Sequence, residues 1–235
     1  MEGQLHTGAE LLADEIAQKI RAKIQNQQYK AGQRLTVRLL CEEFGTSETP
    51  VKQALNQLVT TGLVVSIPKC GMRVREFNFQ DMKNNWEARM MIEQFCAVSA
   101  VELARHDEEF VTHVQEILRI SNAEYERCIK DYTKENFNLL YERDRALHME
   151  LVKCCQNAQI MEMYDSLNAH AGMFVGYACH TPGTLRQVQV QHTEIVHQLV
   201  FCDVEGLKKE IEKHIYSTIQ IYRQAKMGRE SARGC

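Results

Sequence analysis

Apolar residues recur with helical spacing along the first third of the chain. They fall every three to four positions over residues 9–27 and again over a shorter run at about 36–44, which predicts two amphipathic helices. Gly45 ends the second run. A third helix is predicted at about 47–60, because Ser47 can cap its first turn and an apolar stripe follows.

The spacing changes to strand-like alternation after the third helix. Apolar residues alternate near 64–67 and 72–74, on either side of a Pro- and Gly-containing turn at 68–71, which predicts a two-stranded hairpin. Three helices followed by a hairpin, with a tight glycine turn between the second and third helices, is the plan of a winged helix-turn-helix domain. We assign residues 1–76 to this domain.

Beyond residue 78 the pattern is helical almost without interruption. Six helices are predicted, near residues 79–104, 107–130, 133–155, 159–178, 183–201 and 204–226. The short breaks between them favour an antiparallel bundle of six or seven helices. The predicted fold class is therefore mainly α, with a linker at 77–79, an all-helical second domain over 80–228 and a flexible tail at 229–235.

Composition and charge narrow the picture further. No apolar run approaches the roughly 20 residues that cross a bilayer, and the N-terminus lacks a signal-peptide pattern, so we expect a cytoplasmic protein without a membrane partner. The nine cysteines include no CxxC pair, which favours reduced, mostly buried thiols. The net charge of −3 conceals a basic first part, with ten Lys/Arg against seven Asp/Glu in residues 1–75. That part is expected to meet a polyanion.

Two sets of motifs resemble a known family. The run "AGQRLTVRLLCEEFGTSETPVKQALNQLVTTGLVVSIPKCGMRV" resembles the DNA-binding domain of GntR-family bacterial transcription regulators. The segments "EARMMIEQFCAVSAVELA", "ERDRALHMELVKCCQN" and "QHTEIVHQLVFCDVEGLKKEIEKHI" resemble the effector-binding domain of the FadR subfamily, called FCD. The resemblance implies a homodimeric, ligand-responsive transcription regulator, a repressor by family precedent, that binds a palindromic double-stranded DNA operator.

The resemblance also implies which residues contact DNA. They lie on the second helix, at the start of the third helix and at the hairpin tip: Arg38, Ser47, Glu48, Thr49, Lys52, Lys69 and Gly71. The third helix is of a size to enter the major groove, where its first residues reach base edges.

Two of these positions depart from the family pattern, in which arginine usually stands where this chain has Glu48 and Lys52. A third departure is Cys70, where the family often has a basic residue. A glutamate can accept a hydrogen bond from cytosine N4, whereas lysine lacks the two-pronged donor that arginine offers guanine. The operator is therefore expected to differ from the family's usual one. The alternative is that Glu48 only stabilises the helix N-terminus through the helix dipole.

Asp144, His148, His192 and His214 form a candidate metal site. Asp144 and His148 are four apart in a helical segment, so they project from one face. His192 and His214 lie symmetrically about residue 203, in the break between two helices, so an antiparallel helical hairpin would place them at similar height. One Asp and three His suit zinc, the ion expected here, with nickel, manganese or cobalt as alternatives. The resemblance also places metal ligands at these positions.

The alternative interpretation is that these histidines are ordinary core side chains that hydrogen-bond locally. His197 lies about 140° around its helix from His192, by the 100° per residue of an α-helix. His197 is therefore expected in the core or in support of the ligands, and not as a ligand itself.

Arg89 is the candidate contact for an organic effector. The resemblance implies that it points into the bundle beside the metal, where a guanidinium and an open coordination position would together bind a small carboxylate. The alternative is a surface or interhelical ion pair between Arg89 and Glu93, one turn later.

The predicted function is a transcription regulator whose helical domain binds a divalent metal and a small organic carboxylate that modulates operator affinity. It is not predicted to be an enzyme. Two alternatives are a regulator for which the metal itself is the signal, and a metal-dependent hydrolase in which the site activates water. The sequence has no HExxH motif, and a DNA-reading domain has no role in such a hydrolase.

Overall fold

The computed structural model describes residues 8–25, 28–76, 78–174 and 179–233. Contacts divide the chain into two units, Met1–Asn78 and Phe79–Cys235. The division falls inside the predicted linker, of which Phe77 lies outside the described residues. Phe79 is not a linker residue, because it begins a helix and its ring stacks on Tyr222 at a centroid distance of 6.4 Å.

The first unit contains three helices and three short strands. They are α1 (Gly8–Gln25), β1 (Arg34–Leu35), α2 (Val37–Phe44), α3 (Glu48–Thr60), β2 (Val64–Ile67) and β3 (Gly71–Val74). Thr36 caps α2 by accepting a hydrogen bond from the amide of Leu39, and Gly45 ends it in the left-handed conformation, with φ of 64°. The predicted order of three helices and a hairpin is confirmed.

The sheet has one strand more than the sequence analysis predicts. Its order is β1-β3-β2, with both pairings antiparallel, and β1 joins through Arg34 opposite Arg73 and Leu35 opposite Met72. Two residues are too few to show a period, so the pattern could not reveal this strand. Helix α1 packs on α3, and both helices carry fully buried side chains, among them Ile16, Ile20, Leu55 and Leu58.

Every secondary-structure element among the described residues of the second unit is a helix. Its helices are α4 (Phe79–His106), α5 (Glu108–Lys130), α6 (Lys134–Lys153), α7 (Ala158–Phe174), α8 (Pro182–Val200) and α9 (Val204–Arg233). Side chains cap three of the breaks between them: Asp107 starts α5, Thr133 starts α6, and Thr181 forms a reciprocal capping box with Thr184 at the start of α8.

The C-terminus departs from the prediction of a tail at 229–235. Helix α9 continues to Arg233, so residues 229–233 are helical. The sequence there contains no proline that would stop a helix, and Arg, Glu and Ala are compatible with one. Residues 234–235 lie outside the described part of the chain.

The bundle surrounds an interior that contains polar as well as apolar side chains. Helix α4 packs against α9, α7 and α6, while α8 packs against α5 and α9. The buried polar side chains cluster on these helices and include Arg89, Glu93, His148, His192 and His214. No helix in the described ranges is long and apolar enough to cross a membrane.

The eight cysteines among the described residues are free thiols. Only Cys96 and Cys128 are buried, whereas Cys70 is exposed and the other five are partly exposed. The expectation of mostly buried thiols is therefore wrong. Several of these cysteines lie at helix ends, where the chain reaches the surface.

Candidate metal centre and nucleic-acid interface

Three helices bring the four candidate metal ligands together inside the bundle. Helix α6 supplies Asp144 and His148, α8 supplies His192, and α9 supplies His214. One ligand atom from each residue lies within 4.8 Å of those of the other three. The three histidines are at most 4% exposed, and only Asp144 is partly accessible.

The turn between α8 and α9 explains how His192 and His214 meet. Cys202 adopts a left-handed φ of 57° in this turn, which reverses the chain within three residues. The two helices then run back along each other, and the imidazole centroids of His192 and His214 lie 4.6 Å apart. The two histidines therefore lie at the same level along the helical hairpin, as their symmetric positions about residue 203 predict.

Two separations between ligand atoms are those expected around a single metal ion. Nε2 of His192 lies 3.2 Å from Nε2 of His148 and 3.2 Å from Oδ1 of Asp144. Two ligands about 2.0–2.1 Å from one ion are about 2.8–3.4 Å apart when the angle between them is octahedral or tetrahedral. The observed separations fall in that interval.

Hydrogen bonds on the outer side of two histidines decide which nitrogen faces the centre. Nδ1 of His148 lies 2.8 Å from Oε2 of Glu93, and Nδ1 of His214 lies 3.3 Å from Oε1 of Gln191. Both oxygens are acceptors, so each Nδ1 carries the proton and donates it. The lone pair of Nε2 is thereby left for the interior, as in metal sites whose ligands are oriented by outer partners.

The third histidine is oriented through a phenol. The hydroxyl of Tyr125 hydrogen-bonds Asp144 and lies 3.3 Å from Nδ1 of His192. Because the phenol proton goes to the carboxylate, Nδ1 of His192 donates to the phenol oxygen and its Nε2 also presents a lone pair. Three lone pairs and a carboxylate then converge, an arrangement that repels itself without a cation. The donor set therefore fits a divalent metal ion.

Burial keeps the ligands in the protonation state that a metal requires. Desolvation lowers the pKa of His192 to about 4 and that of His214 well below its usual value, so both are neutral at pH 7. Burial opposes the ionisation of Glu93, but His148 and Arg89 outweigh it and lower the pKa of Glu93 to about 2. The carboxylate that orients His148 is therefore charged.

Arg89 is buried beside this centre and is held from two sides. One terminal nitrogen, Nη2, lies 3.2 Å from Oε1 of Glu93 and 3.2 Å from the hydroxyl of Tyr164, which itself donates to Glu93 at 2.5 Å. Nε of Arg89 is buried and has no partner among the described atoms. Arg89 thus both pairs with Glu93 and faces the interior of the bundle. The alternative of a surface ion pair is wrong, because Arg89 is only 3% exposed.

A pocket of about 510 Å³, including the space at its mouth, adjoins the candidate metal site. Arg89, Asp144 and His214 all line it. Two more lining residues carry buried polar atoms without a partner in the described part of the chain, namely the hydroxyl of Tyr141 and Nδ1 of His180. Unpaired buried polar atoms are costly, so their convergence here marks a place for a polar ligand.

Several residues of this site were not assigned a role from sequence. The sequence indicates Glu93 only as the partner of Arg89, and Gln191 carries no signal beyond its place next to a candidate ligand. Tyr125 and His180 come from other helices or loops at spacings that no pattern connects. His197, expected in the core or behind the ligands, is instead exposed and packs on Phe201 at a centroid distance of 4.4 Å.

The predicted DNA-contacting residues lie on the surface of the first unit. Ser47 precedes α3, and Glu48 and Thr49 form its first turn, all three exposed. Lys52 lies one turn later and donates to Glu48 at 2.6 Å. In the absence of DNA the carboxylate thus neutralises the lysine. Arg38 on α2 is 85% exposed.

The hairpin tip presents the remaining two candidates. Lys69 and Gly71 both adopt positive φ, 62° and 82°, and both are exposed. A Cβ on Gly71 would lie 3.5 Å from the guanidinium of Arg34, which is an ordinary contact distance, so the positive φ and not the available space favours glycine here. Arg34 was not among the sequence candidates, although it adds positive charge beside the tip.

Comparisons with known proteins agree with both domains. The family described as "Bacterial regulatory proteins, gntR family" matches residues 12–74, and the family described as "FCD domain" matches residues 85–217. The chain is 24% identical over 213 residues to BphR, an HTH-type transcriptional regulator of Paraburkholderia xenovorans, covering 91% of this chain and 86% of BphR. It is 21% identical over 204 residues to GlaR, an HTH-type transcriptional repressor of Escherichia coli, covering 85% of this chain and 90% of GlaR.

Solved structures share the fold. McbR/YncC of Escherichia coli superimposes with a TM-score of 0.74 at 20% identity, covering 91% of this chain and 97% of that protein. A GntR regulator of Rhodococcus sp. RHA1 superimposes with a TM-score of 0.71 at 18% identity, covering 91% and 98%. With an N-terminal domain of the gntR type and an FCD match over more than half of its length, the chain belongs to the FadR subfamily of GntR-family bacterial transcription regulators.

Proposed function

We propose that the FCD domain of this regulator binds one divalent metal ion and a small organic carboxylate, and that the carboxylate changes the affinity of the protein for its operator. One observation carries the proposal. The pocket is lined by two of the four candidate metal ligands, Asp144 and His214, and by a buried guanidinium, Arg89, that has an unpartnered Nε.

The side chains have distinct tasks in this proposal. Asp144 and the three histidines hold the ion, which when bound supplies an open coordination position for a carboxylate oxygen. Arg89 donates to the same carboxylate, and its position is set by Glu93 and Tyr164. Tyr164, Glu93 and Asp144 outweigh the effect of burial and raise the pKa of Arg89, so it stays charged.

Operator recognition is assigned to α3 and the hairpin tip. The exposed start of α3 presents Ser47, Glu48 and Thr49, and Lys52 follows one turn later. Entry of this helix into a major groove would let these residues meet base edges while its first amides face phosphate. The tip, with Lys69, would lie along the backbone.

A ligand can change operator affinity only if it binds one state of the regulator better than another. We assign the carboxylate to the state with weaker operator affinity, so its binding releases the protein from DNA. GlaR, a relative over 85% of the chain, is named a repressor, which supports this direction. The protein then acts as a repressor in the cytoplasm.

A homodimer is proposed because a palindromic operator requires two reading helices. Helix α4 offers a surface for it: Met91, Phe95 and Val98 follow each other at helical spacing and are 63%, 64% and 51% exposed. Three adjacent exposed apolar side chains are more than scattered surface residues explain. The same helix carries Arg89 and Glu93 on its buried side, so one element touches both the effector pocket and this surface.

Operator binding by fluorescence anisotropy tests the proposal and separates it from its alternatives. The protein would be prepared metal-free, metal-loaded, and metal-loaded with a panel of organic acids. Release only by an acid, and only from the metal-loaded form, is expected. Release by the metal alone would identify a metal sensor. Hydrolysis of ester or amide substrates by the metal-loaded protein, lost in His214→Ala, would point to an enzyme.

Arg89→Ala provides the matched variant. It should keep its metal and its operator affinity but lose the response to the acid, because it removes a ligand contact and no metal ligand. A normal response in Arg89→Ala would remove the arginine from the effector site. Metal analysis that finds no stoichiometric uptake of zinc, nickel, manganese or cobalt would end the metal part of the proposal.

A further inference from the structure

The wall of the pocket is divided between a polar and an apolar side. The polar side is formed by Arg89, Asp144 and His214. The apolar side belongs to one buried cluster that contributes five lining residues: Tyr125, Phe137, Leu140, Leu185 and Val188. A ligand that fills this space must present a charged group to the first side and an apolar body to the second.

Few polar atoms of the pocket are free to bind a second polar group. The hydroxyl of Tyr125 is engaged with Asp144, and that of Thr218 donates to the carbonyl of His214. Among the described lining residues, the unpartnered buried polar atoms are Nε of Arg89, the hydroxyl of Tyr141 and Nδ1 of His180. The first lies on the side chain assigned to the carboxylate.

A polyhydroxylated acid is poorly matched to such a wall. Its four or more hydroxyls would find too few partners among the described lining atoms, and each hydroxyl buried without a partner costs about tenfold in affinity. An aromatic ring makes the opposite demand. Trp86, Tyr125, Phe137 and Tyr141 surround the pocket, and rings pack favourably against rings.

We infer that the effector is an aryl carboxylate, with its carboxylate on Arg89 and the metal and its ring against the cluster of Phe137, Leu140, Leu185 and Val188. The inference rests on the proposed function of the pocket and adds the chemical class of its ligand.

His180 indicates that the aryl acid carries one polar substituent on its ring. Its ring lies 5.4 Å from that of Phe137, on the apolar side, and its Nδ1 is buried without a partner in the described structure. Burial lowers the pKa of His180 to about 4, so the ring is neutral at pH 7 and can accept or donate one hydrogen bond. An acid that carries a single hydroxyl on its ring satisfies this atom.

The test uses the full-length, metal-loaded protein and isothermal titration with matched acids. Phenylacetate and 4-hydroxyphenylacetate represent the aryl class, and gluconate and lactate represent hydroxy acids. We expect the aryl acids to bind at least tenfold more tightly than gluconate or lactate, and the hydroxylated aryl acid to bind more tightly than the plain one. His180→Phe should abolish the second difference and keep the first.

Substitutions in the apolar wall provide an independent readout. Val188→Phe should fill the pocket and weaken aryl-acid binding at least tenfold while one metal per chain is retained. Val190→Phe, on the same helix but 56% exposed, should change neither. Val188→Ala enlarges the pocket, and we expect it to bind 2-naphthylacetate more tightly than the wild type does.

The outcomes separate this inference from the proposed function. Tighter binding of gluconate or lactate than of the aryl acids, with metal present, would overturn the aryl class and leave the carboxylate effector standing. Failure of every acid to bind the metal-loaded protein would overturn both. Equal effects of Val188→Phe and Val190→Phe would show that the apolar wall does not contact the ligand.

Discussion

Glu93 and His148 form a buried hydrogen bond of 2.8 Å between Oε2 and Nδ1, and neither side chain is exposed to solvent. The other oxygen of Glu93 receives hydrogen bonds from Arg89 and Tyr164. One carboxylate therefore orients both a candidate metal ligand and the candidate effector contact. A change at Glu93 should be felt at both.

Glu93→Gln tests this shared role. Loss of the charged acceptor should free the tautomer of His148 and weaken metal binding about 10- to 100-fold, the range found for partners of metal-ligating histidines. The measurement is competition for the metal against a chelator of known affinity. Glu87→Gln, on the same helix but partly exposed in an ion pair with Lys83, is the control and should have no effect. Equal metal affinities in all three proteins would contradict the role.

Removal of a ligand should remove the metal and its stabilisation. His214→Ala should lose stoichiometric metal and unfold at a lower temperature than the metal-loaded wild type, as should chelated wild type. An ion that binds only the folded state raises the free energy of unfolding by about 2.7 kcal/mol when its concentration is a hundredfold above its dissociation constant. His197→Ala, an exposed histidine outside the site, should keep both properties. Metal analysis and thermal unfolding with and without EDTA decide the matter.

The metal-free protein should lose stability as the pH falls below about 6.5. Burial lowers the pKa of both His180 and His192 to about 4, while in the unfolded chain each titrates near its usual value. Between these values the unfolded state binds protons that the folded state does not, so the free energy of unfolding falls by about 1.4 kcal/mol per pH unit for each histidine. The loss is complete near pH 4.

Urea unfolding at pH 7 and pH 5 in the presence of EDTA measures this dependence. His180→Phe should show a shallower loss of stability than the wild type, because it removes one of the protons taken up on unfolding. His106→Phe removes an exposed histidine and should follow the wild type. A wild-type stability that is unchanged or higher at pH 5 would refute the prediction.

Substitutions of Lys52 and Glu48 test whether α3 contacts the operator. If Lys52 contacts a base, Lys52→Ala should weaken binding to the native operator about tenfold or more. If Lys52 contacts a phosphate, the loss of affinity should be similar for every DNA sequence. Glu48→Arg should shift preference from the native operator toward one with guanine, because arginine can bind guanine with two hydrogen bonds. Anisotropy on both operators measures the shift, and an unaltered preference would limit Glu48 to a helix-end charge.

The exposed stripe on α4 leads to a prediction about assembly. Phe95→Glu places a charge at its centre and should produce a monomer that binds a single half-site weakly. Light scattering after size-exclusion chromatography gives the mass directly. Val190→Glu, at another exposed apolar position, on α8, should remain dimeric. A dimeric Phe95→Glu protein would place the interface elsewhere.

Local chemistry was sufficient to predict most of the fold. Helix periods, Gly45 at a helix end and the turn before Gly71 act within a few residues, and the structure has helices and a hairpin where they indicate. The tail was wrong because no local signal separates a frayed end from a continuing helix without proline. Strand β1 was missed because its two residues form a strand only through pairing with β3.

The candidate ligands could be selected from sequence because they share helical faces or a symmetric hairpin. Asp144 and His148 need only one helix, and His192 and His214 need only a turn midway between them. The proximity within each pair did not require knowledge of the rest of the bundle, whereas the meeting of the two pairs depends on how the helices pack.

Only the tertiary structure decided what surrounds them. Glu93, Tyr125 and His180 reach the site from separate helices and a loop, at sequence separations that carry no period. Their positions depend on how α4, α5 and α8 pack, which is a property of the whole core and of no single segment. The choice of candidate metal ligands was thus encoded locally, whereas the neutrality of the buried histidines and the apolar wall of the pocket arise from burial, which exists only once the bundle is assembled.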